Sequence, residues 1–214
     1  MRLIFPLLLL LAPAALPAKA PPPPPVHNGP FLSPMGEPFR SHPAASDNAG
    51  AWFAAADRDG DGAVTAAELR EDAARFFALL DGDRDGELEM VEIARYENDI
   101  APEVQVGLQM RSTGVGDWRG DRRRRVPVYE RRVEGAGRYS FLNIPQPVIA
   151  ADYDMNRGVS RAEFEQAAAE RFARLDTDRD GRLTRAELPP LPQPRYRRGR
   201  NDEDRARLPV PPQR

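Results

Sequence analysis

The chain of 214 residues contains no cysteine, two histidines and a single lysine, Lys19. The absence of cysteine excludes disulfides, a lipid-acceptor thiol and thiolate metal sites. His27 and His42 lie in a Pro-rich stretch with no neighbours able to order them, and they read as solvated linker residues. No apolar run approaches the ~20 residues that a bilayer-spanning helix needs. There is no nucleophile elbow, phosphate-cradling glycine loop, zinc spacing or histidine-centred catalytic set, so the expectation is a protein that is not an enzyme. Formal net charge is -2, and the acidity is concentrated in a few short segments. That favours cations as partners over nucleic acid.

Those segments are four twelve-residue stretches, numbered here in chain order. Loop 1 is DRDGDGAVTAAE (Asp57–Glu68), loop 2 is DGDRDGELEMVE (Asp81–Glu92) and loop 4 is DTDRDGRLTRAE (Asp176–Glu187). Each has Asp at positions 1, 3 and 5, Gly at 6, an aliphatic residue at 8 and Glu at 12. Alternate carboxylates in a tight turn converge on one point, which suits a hard divalent cation bound through oxygen. Loop 3, DYDMNRGVSRAE (Asp152–Glu163), keeps most of the pattern, but Arg157 stands at position 6 and Asn156 at position 5. A non-glycine residue in the left-handed region costs roughly 1 kcal/mol or more. Loop 3 is therefore expected to be a weaker site or an empty one.

These loops closely resemble those of the EF-hand calcium-binding family. The resemblance implies side-chain ligands Asp57, Asp59, Asp61 and Glu68 in loop 1, with the carbonyl of Ala63 and a water-bridged contact at Thr65. In loop 2 it implies Asp81, Asp83, Asp85 and Glu92, with the Glu87 carbonyl and Glu89. In loop 3 the same roles fall to Asp152, Asp154, Asn156 and Glu163, with the Gly158 carbonyl. In loop 4 they fall to Asp176, Asp178, Asp180 and Glu187, with the Arg182 carbonyl and Thr184. The implied cofactor is Ca²⁺, with three strong sites and a fourth weak or empty.

A shift of 95 residues superposes Asp57 on Asp152, Asp81 on Asp176, and Leu69, Ala73, Phe77 and Leu80 on Phe164, Ala168, Phe172 and Leu175. The apolar set recurs at helical spacing. The predicted fold class is therefore all-α and EF-hand-like, with two loop–helix–loop halves packed together. Helices are predicted over about 47–56, 66–80, 90–98 and 161–175, with a short one over 145–151. Only Leu69–Leu80 separates loops 1 and 2, too little for two helices and a turn. One continuous helix must then hold its loops about 20 Å apart, at opposite ends. Antiparallel packing of the two long helices through Phe76, Phe77, Leu80, Phe164, Phe172 and Leu175 would bring loop 1 to loop 4 and loop 2 to loop 3.

Residues 1–20 have a basic start at Arg2, an apolar run over Leu3–Leu11 and a small-residue end, the layout of a secretory signal peptide. Its removal takes net charge from -2 to -4, because Arg2 and Lys19 leave with it. Arg-only basicity with abundant Ala, Pro and Gly favours a bacterial envelope, periplasmic or secreted. Residues 21–43 are predicted to be a Pro-rich disordered linker, 44–100 a first pair of hands, 101–143 an irregular or β-containing connector, 144–190 a second pair and 191–214 a disordered tail. In the connector, Val104–Met110 alternates like a strand, with Val126 and Val128 as its partner. Arg122–Arg125 reads as a solvated stretch rather than a contact for an anionic surface, and Trp118 anchors its loop either to the core or to a partner. The function expected is calcium binding by an exported protein whose metal stabilises the fold. The alternative is a calcium-dependent sensor or adaptor for a protein partner in the cell envelope.

Overall fold

The computed structural model describes residues 30–40, 47–105, 126–128, 133–193 and 195–197. The leader, His27, His42, Trp118, Arg122–Arg125 and the 106–110 part of the expected strand lie outside these residues. Four α-helices carry the architecture: α1 (Asn48–Ala56), α2 (Ala66–Leu80), α3 (Met90–Arg95) and α4 (Arg161–Leu175). Strands β1 (Phe31–Leu32), β2 (Pro38–Phe39), β3 (Ala63–Thr65), β4 (Glu87–Leu88), β5 (Val126–Val128), β6 (Val159–Ser160), β7 (Arg182–Thr184) and β8 (Arg195–Arg197) form four two-stranded sheets. The all-α expectation is thus right for the mass of the fold and incomplete for its joints.

Both long helices begin at a reciprocal cap. The Thr65 hydroxyl accepts from the Glu68 amide while Glu68 accepts from the Thr65 amide, and Ser160 with Glu163 repeats the arrangement. Such boxes satisfy amide donors that the first helical turn leaves unpaired. The helices run antiparallel, with the Phe164 ring 5.6 Å from that of Phe77 and 6.4 Å from that of Phe76. At one end Leu80 and Phe164 join a cluster with Leu88 and Val159; at the other, Phe172 and Leu175 meet Leu69, Val64 and Leu183. No helix among the described residues is long and apolar enough to cross a membrane.

The sheets tie the halves crosswise. β3 pairs with β7, setting Val64 opposite Leu183, and β4 pairs with β6, setting Leu88 opposite Val159. Loop 1 therefore meets loop 4 and loop 2 meets loop 3, as the twelve-residue separation requires. The aliphatic position 8 of each loop is the contact.

Elsewhere the expectations need correction. The segment assigned to a disordered linker forms the β1–β2 hairpin across residues 30–40, with Phe31, Leu32 and Met35 buried. Its prolines argued for an extended chain, yet each buried apolar side chain returns ~1.5–3 kcal/mol, enough to offset the ordering of its backbone. Phe31 packs 4.9 Å from Phe141 and 5.7 Å from Trp52, so hairpin, connector and α1 share one aromatic knot. Leu32 also donates to the Tyr139 carbonyl at 2.9 Å. Val104 sits in a 3-10 turn (Pro102–Val104) rather than a strand, and β5 pairs instead with β8 from the expected tail. Leu191, also assigned to that tail, packs against the second cluster. The third helix continues beyond Arg95 as a π-turn (Tyr96–Ile100), and the short helix before loop 3 contracts to a 3-10 turn at Ile149–Ala151.

Gly36 shows how tightly the hairpin is held. Its φ is +94°, and a Cβ there would lie 2.5 Å from the Tyr96 hydroxyl and 3.0 Å from Pro147 Cβ. That hydroxyl donates to the Gly36 carbonyl at 2.8 Å, and burial pushes its pKa far up. Gly36→Ala is expected to lower stability by roughly 2 kcal/mol in denaturant unfolding, from left-handed strain plus the displaced ring.

Candidate metal centres

The four loops share one backbone path. Position 6 takes a left-handed conformation in all of them, at Gly62 (φ +87°), Gly86 (+90°), Arg157 (+78°) and Gly181 (+82°). A Cβ at the three glycines would meet nothing within 4 Å, so glycine is used there for its torsion rather than for space. Arg157 thus fits sterically and carries only the backbone penalty. Arg157→Gly is expected to stabilise the metal-free protein by about 1 kcal/mol and to strengthen cation binding by loop 3, read by chemical unfolding and calorimetric titration.

Position 4 is left-handed as well, at Gly60 (φ +70°), Arg84 (+66°), Met155 (+58°) and Arg179 (+62°). Sequence reasoning missed this requirement; the single glycine at 60 was the only hint. The turn is held by carboxylates accepting backbone amides. Asp57 Oδ1 accepts from the Asp61 amide at 3.1 Å and Asp57 Oδ2 from the Gly62 amide at 3.0 Å. The equivalents are Gly86 to Asp81 at 3.2 Å, Arg157 to Asp152 at 3.1 Å and Gly181 to Asp176 at 3.1 Å.

Carboxylate oxygens gather at each loop. Asp57, Asp59 and Asp61 bring oxygens within 4.8 Å of one another, as do Asp81, Asp83 and Asp85. In loop 3 the set is Asp152, Asp154 and Glu163, and in loop 4 it is Asp176, Asp178 and Glu187. The final glutamates all accept from their own loop backbone: Glu68 from the Arg58 and Thr65 amides at 2.9 and 2.8 Å, Glu92 from the Gly82 and Glu89 amides at 2.5 and 3.1 Å, Glu163 from the Tyr153 and Ser160 amides at 3.0 and 2.8 Å, and Glu187 from the Thr184 amide at 2.8 Å. The Thr65 amide, aided by the Thr65 hydroxyl, holds the Glu68 carboxyl below its usual pKa, so it is ionised at neutral pH. Asp180 accepts from the Arg182 amide at 2.7 Å. In loop 3 Asn156 takes its ligand position, but its amide donates to Asp154 Oδ2 at 3.3 Å while its oxygen accepts from Gly158 at 2.7 Å. The carbonyl positions Ala63, Glu87 and Arg182 open β3, β4 and β7, and Gly158 directly precedes β6.

Three of these oxygens are poorly provided for by the protein itself. Asp81 Oδ1, Asp176 Oδ1 and Glu187 Oε1 are buried and accept no hydrogen bond. A buried carboxylate oxygen without a donor is costly, and a cation coordinated in the loop would satisfy it. Asp81 and Asp176 are also the C-caps of α2 and α4, their amides donating to Phe77 and Phe172 carbonyls at 2.9 Å. The donor set is oxygen throughout, which fits Ca²⁺ better than a nitrogen- or sulfur-seeking metal.

Compared with known proteins, the chain matches a family model described as EF hand at residues 50–71 and 168–188, spanning the whole of loops 1 and 4. No curated protein matches it. The matched loops are those joined by β3 and β7, one from each half, while loops 2 and 3 repeat their spacing and backbone path. The chain carries duplicated EF hands, and calcium is the ion that these matches support.

Proposed function

We propose that this is an exported calcium-binding protein in which the metal chiefly stabilises the fold and performs no catalysis. The carrying observation is that candidate ligands sit at both ends of both long helices. Glu68 and Glu163 belong to the N-terminal capping boxes of α2 and α4, and Asp81 and Asp176 are their C-caps. A cation bound in any loop therefore clamps a helix end, and the free energy of binding becomes folding free energy. Loops 1, 2 and 4 are the strong sites in this reading and loop 3 the weak one. The leader-like residues 1–20 support export, and the bacterial character of the composition favours a periplasmic or secreted location. Calorimetric titration of the metal-stripped chain tests the reading, three strong sites being the expected stoichiometry; an absence of heat on adding calcium would count against it. Mass spectrometry of the mature protein tests export, and an intact residue 1 on cytosolic protein would remove that part.

A second reading, a calcium-dependent adaptor, draws on a cavity of about 380 Å³ beside loops 2 and 3. Met90, Ile93, Ile149 and Val159 line it together with the loop 3 ligand Asp152, and Met90 is 69% exposed. Calcium-dependent uptake of a hydrophobic dye is the result that would favour this reading over the first.

A further inference from the structure

We infer that Arg182 is a counter-ion shared between two loops, holding down the calcium affinity of loop 1. The inference rests on the calcium-binding reading of the loops and goes beyond it. Arg182 occupies position 7 of loop 4, where a ligand role involves the backbone carbonyl alone and leaves the side chain free. The β3–β7 register sets Arg182 opposite Thr65 of loop 1. From there Nη2 donates to Asp61 Oδ2 at 2.7 Å. Asp61 is one of the three clustered carboxylates of loop 1, and its other oxygen accepts from the Ala63 amide at 3.0 Å. One residue would thus join the shell of loop 4 through its backbone, and it pairs with a clustered carboxylate of loop 1 through its side chain.

The other pair of loops has no counterpart. Its position 7 residues are Glu87 and Gly158. Among the described residues, no arginine forms an ion pair with Asp81, Asp83 or Asp85. Loop 2 has six acidic residues and one arginine, Arg84, whereas loop 4 has four acidic residues and three arginines, Arg179, Arg182 and Arg185. Arg185 reaches the same end of the molecule, pairing with Asp47 at the N-cap of α1. At the loop 1–loop 4 end a guanidinium is thus paired with a clustered carboxylate; at the loop 2–loop 3 end, among the described residues, Arg157 and Arg161 form no ion pair with the clustered carboxylates.

A unit positive charge several Å from a divalent cation, at a site as exposed as this one, weakens binding by roughly threefold to tenfold at low salt, and screening shrinks the effect at high salt. The pair itself is surface-exposed, 45% for Arg182 and 34% for Asp61, and contributes little to stability. Arg182→Gln is therefore expected to fold and to melt near the parent temperature in chelator. In calorimetric titration with calcium at low salt, one class of site in Arg182→Gln should tighten roughly threefold to tenfold. The gain should fade at high salt, vanish when Glu68→Gln disables loop 1, and be absent in Arg182→Lys, which keeps the charge. Unchanged or weaker binding in Arg182→Gln, or a gain that survives Glu68→Gln, overturns the inference while leaving calcium binding intact. A parent chain that takes up no calcium overturns the functional reading, and this inference with it.

Discussion

Adding about 10 mM calcium to the metal-stripped protein is expected to raise its melting temperature by roughly 10–25 °C. Sites of the extracellular class have dissociation constants around 10⁻⁴–10⁻³ M. At that concentration each contributes about 1.4–2.7 kcal/mol to a folded state that alone can bind, so the three strong loops proposed above would supply about 4–8 kcal/mol. A protein of this size gains roughly 2–4 °C per kcal/mol. The rise should be carried by the ends of α2 and α4, where Asp81 and Asp176 hold buried oxygens that no donor reaches. Magnesium should give a much smaller rise, because it demands octahedral geometry and keeps its own water. Identical melting curves with calcium and with EGTA would refute the stabilising role.

Arg171→Ala is expected to lower stability by roughly 3–5 kcal/mol, the largest effect of any single substitution discussed. Arg171 is only 3% exposed, and it has no carboxylate partner among the described residues. Its Nη1 donates to the Pro34 carbonyl at 3.0 Å and Nη2 to the Pro147 carbonyl at 2.7 Å. Burial lowers its pKa to about 10, so the side chain stays charged at neutral pH. It pins the β1–β2 hairpin and the segment before loop 3 to the middle of α4. Truncation strands two carbonyls in the interior and leaves a cavity. Arg171→Met fills the cavity and removes a buried charge, and should cost about half as much. Hydrogen exchange at Leu32 and Gly36 should accelerate in both variants; unchanged protection there would refute the pinning role.

What could be read from the sequence follows from how local the information is. The loops are legible because a twelve-residue turn dictates its own ligand spacing, and α2 because an apolar stripe fixes its phase and the two flanking loops fix its length. Even the crosswise pairing follows from a short count, since Leu69–Leu80 leaves no room for a turn. The hairpin was not legible, because its burial depends on partners over a hundred residues away: Phe31 is ordered by Phe141, and Pro34 by Arg171. Proline content spoke for the isolated segment and tertiary packing overrode it. The left-handed position 4 was hidden because three of its four occupants are not glycine. Asn156 could be placed by register, but its donation to Asp154 became visible only with side chains in place.

The crosswise arrangement of the β3–β7 and β4–β6 ladders has a consequence for assembly. Every ladder between the loops takes one strand from residues 44–100 and one from residues 144–190, so neither portion can complete a pair of hands by itself. The same contacts would be satisfied if each portion found its complement on a second molecule, the requirement for domain swapping. Within one molecule, the two portions must meet before either pair of loops can close, which makes the folding of each depend on the other.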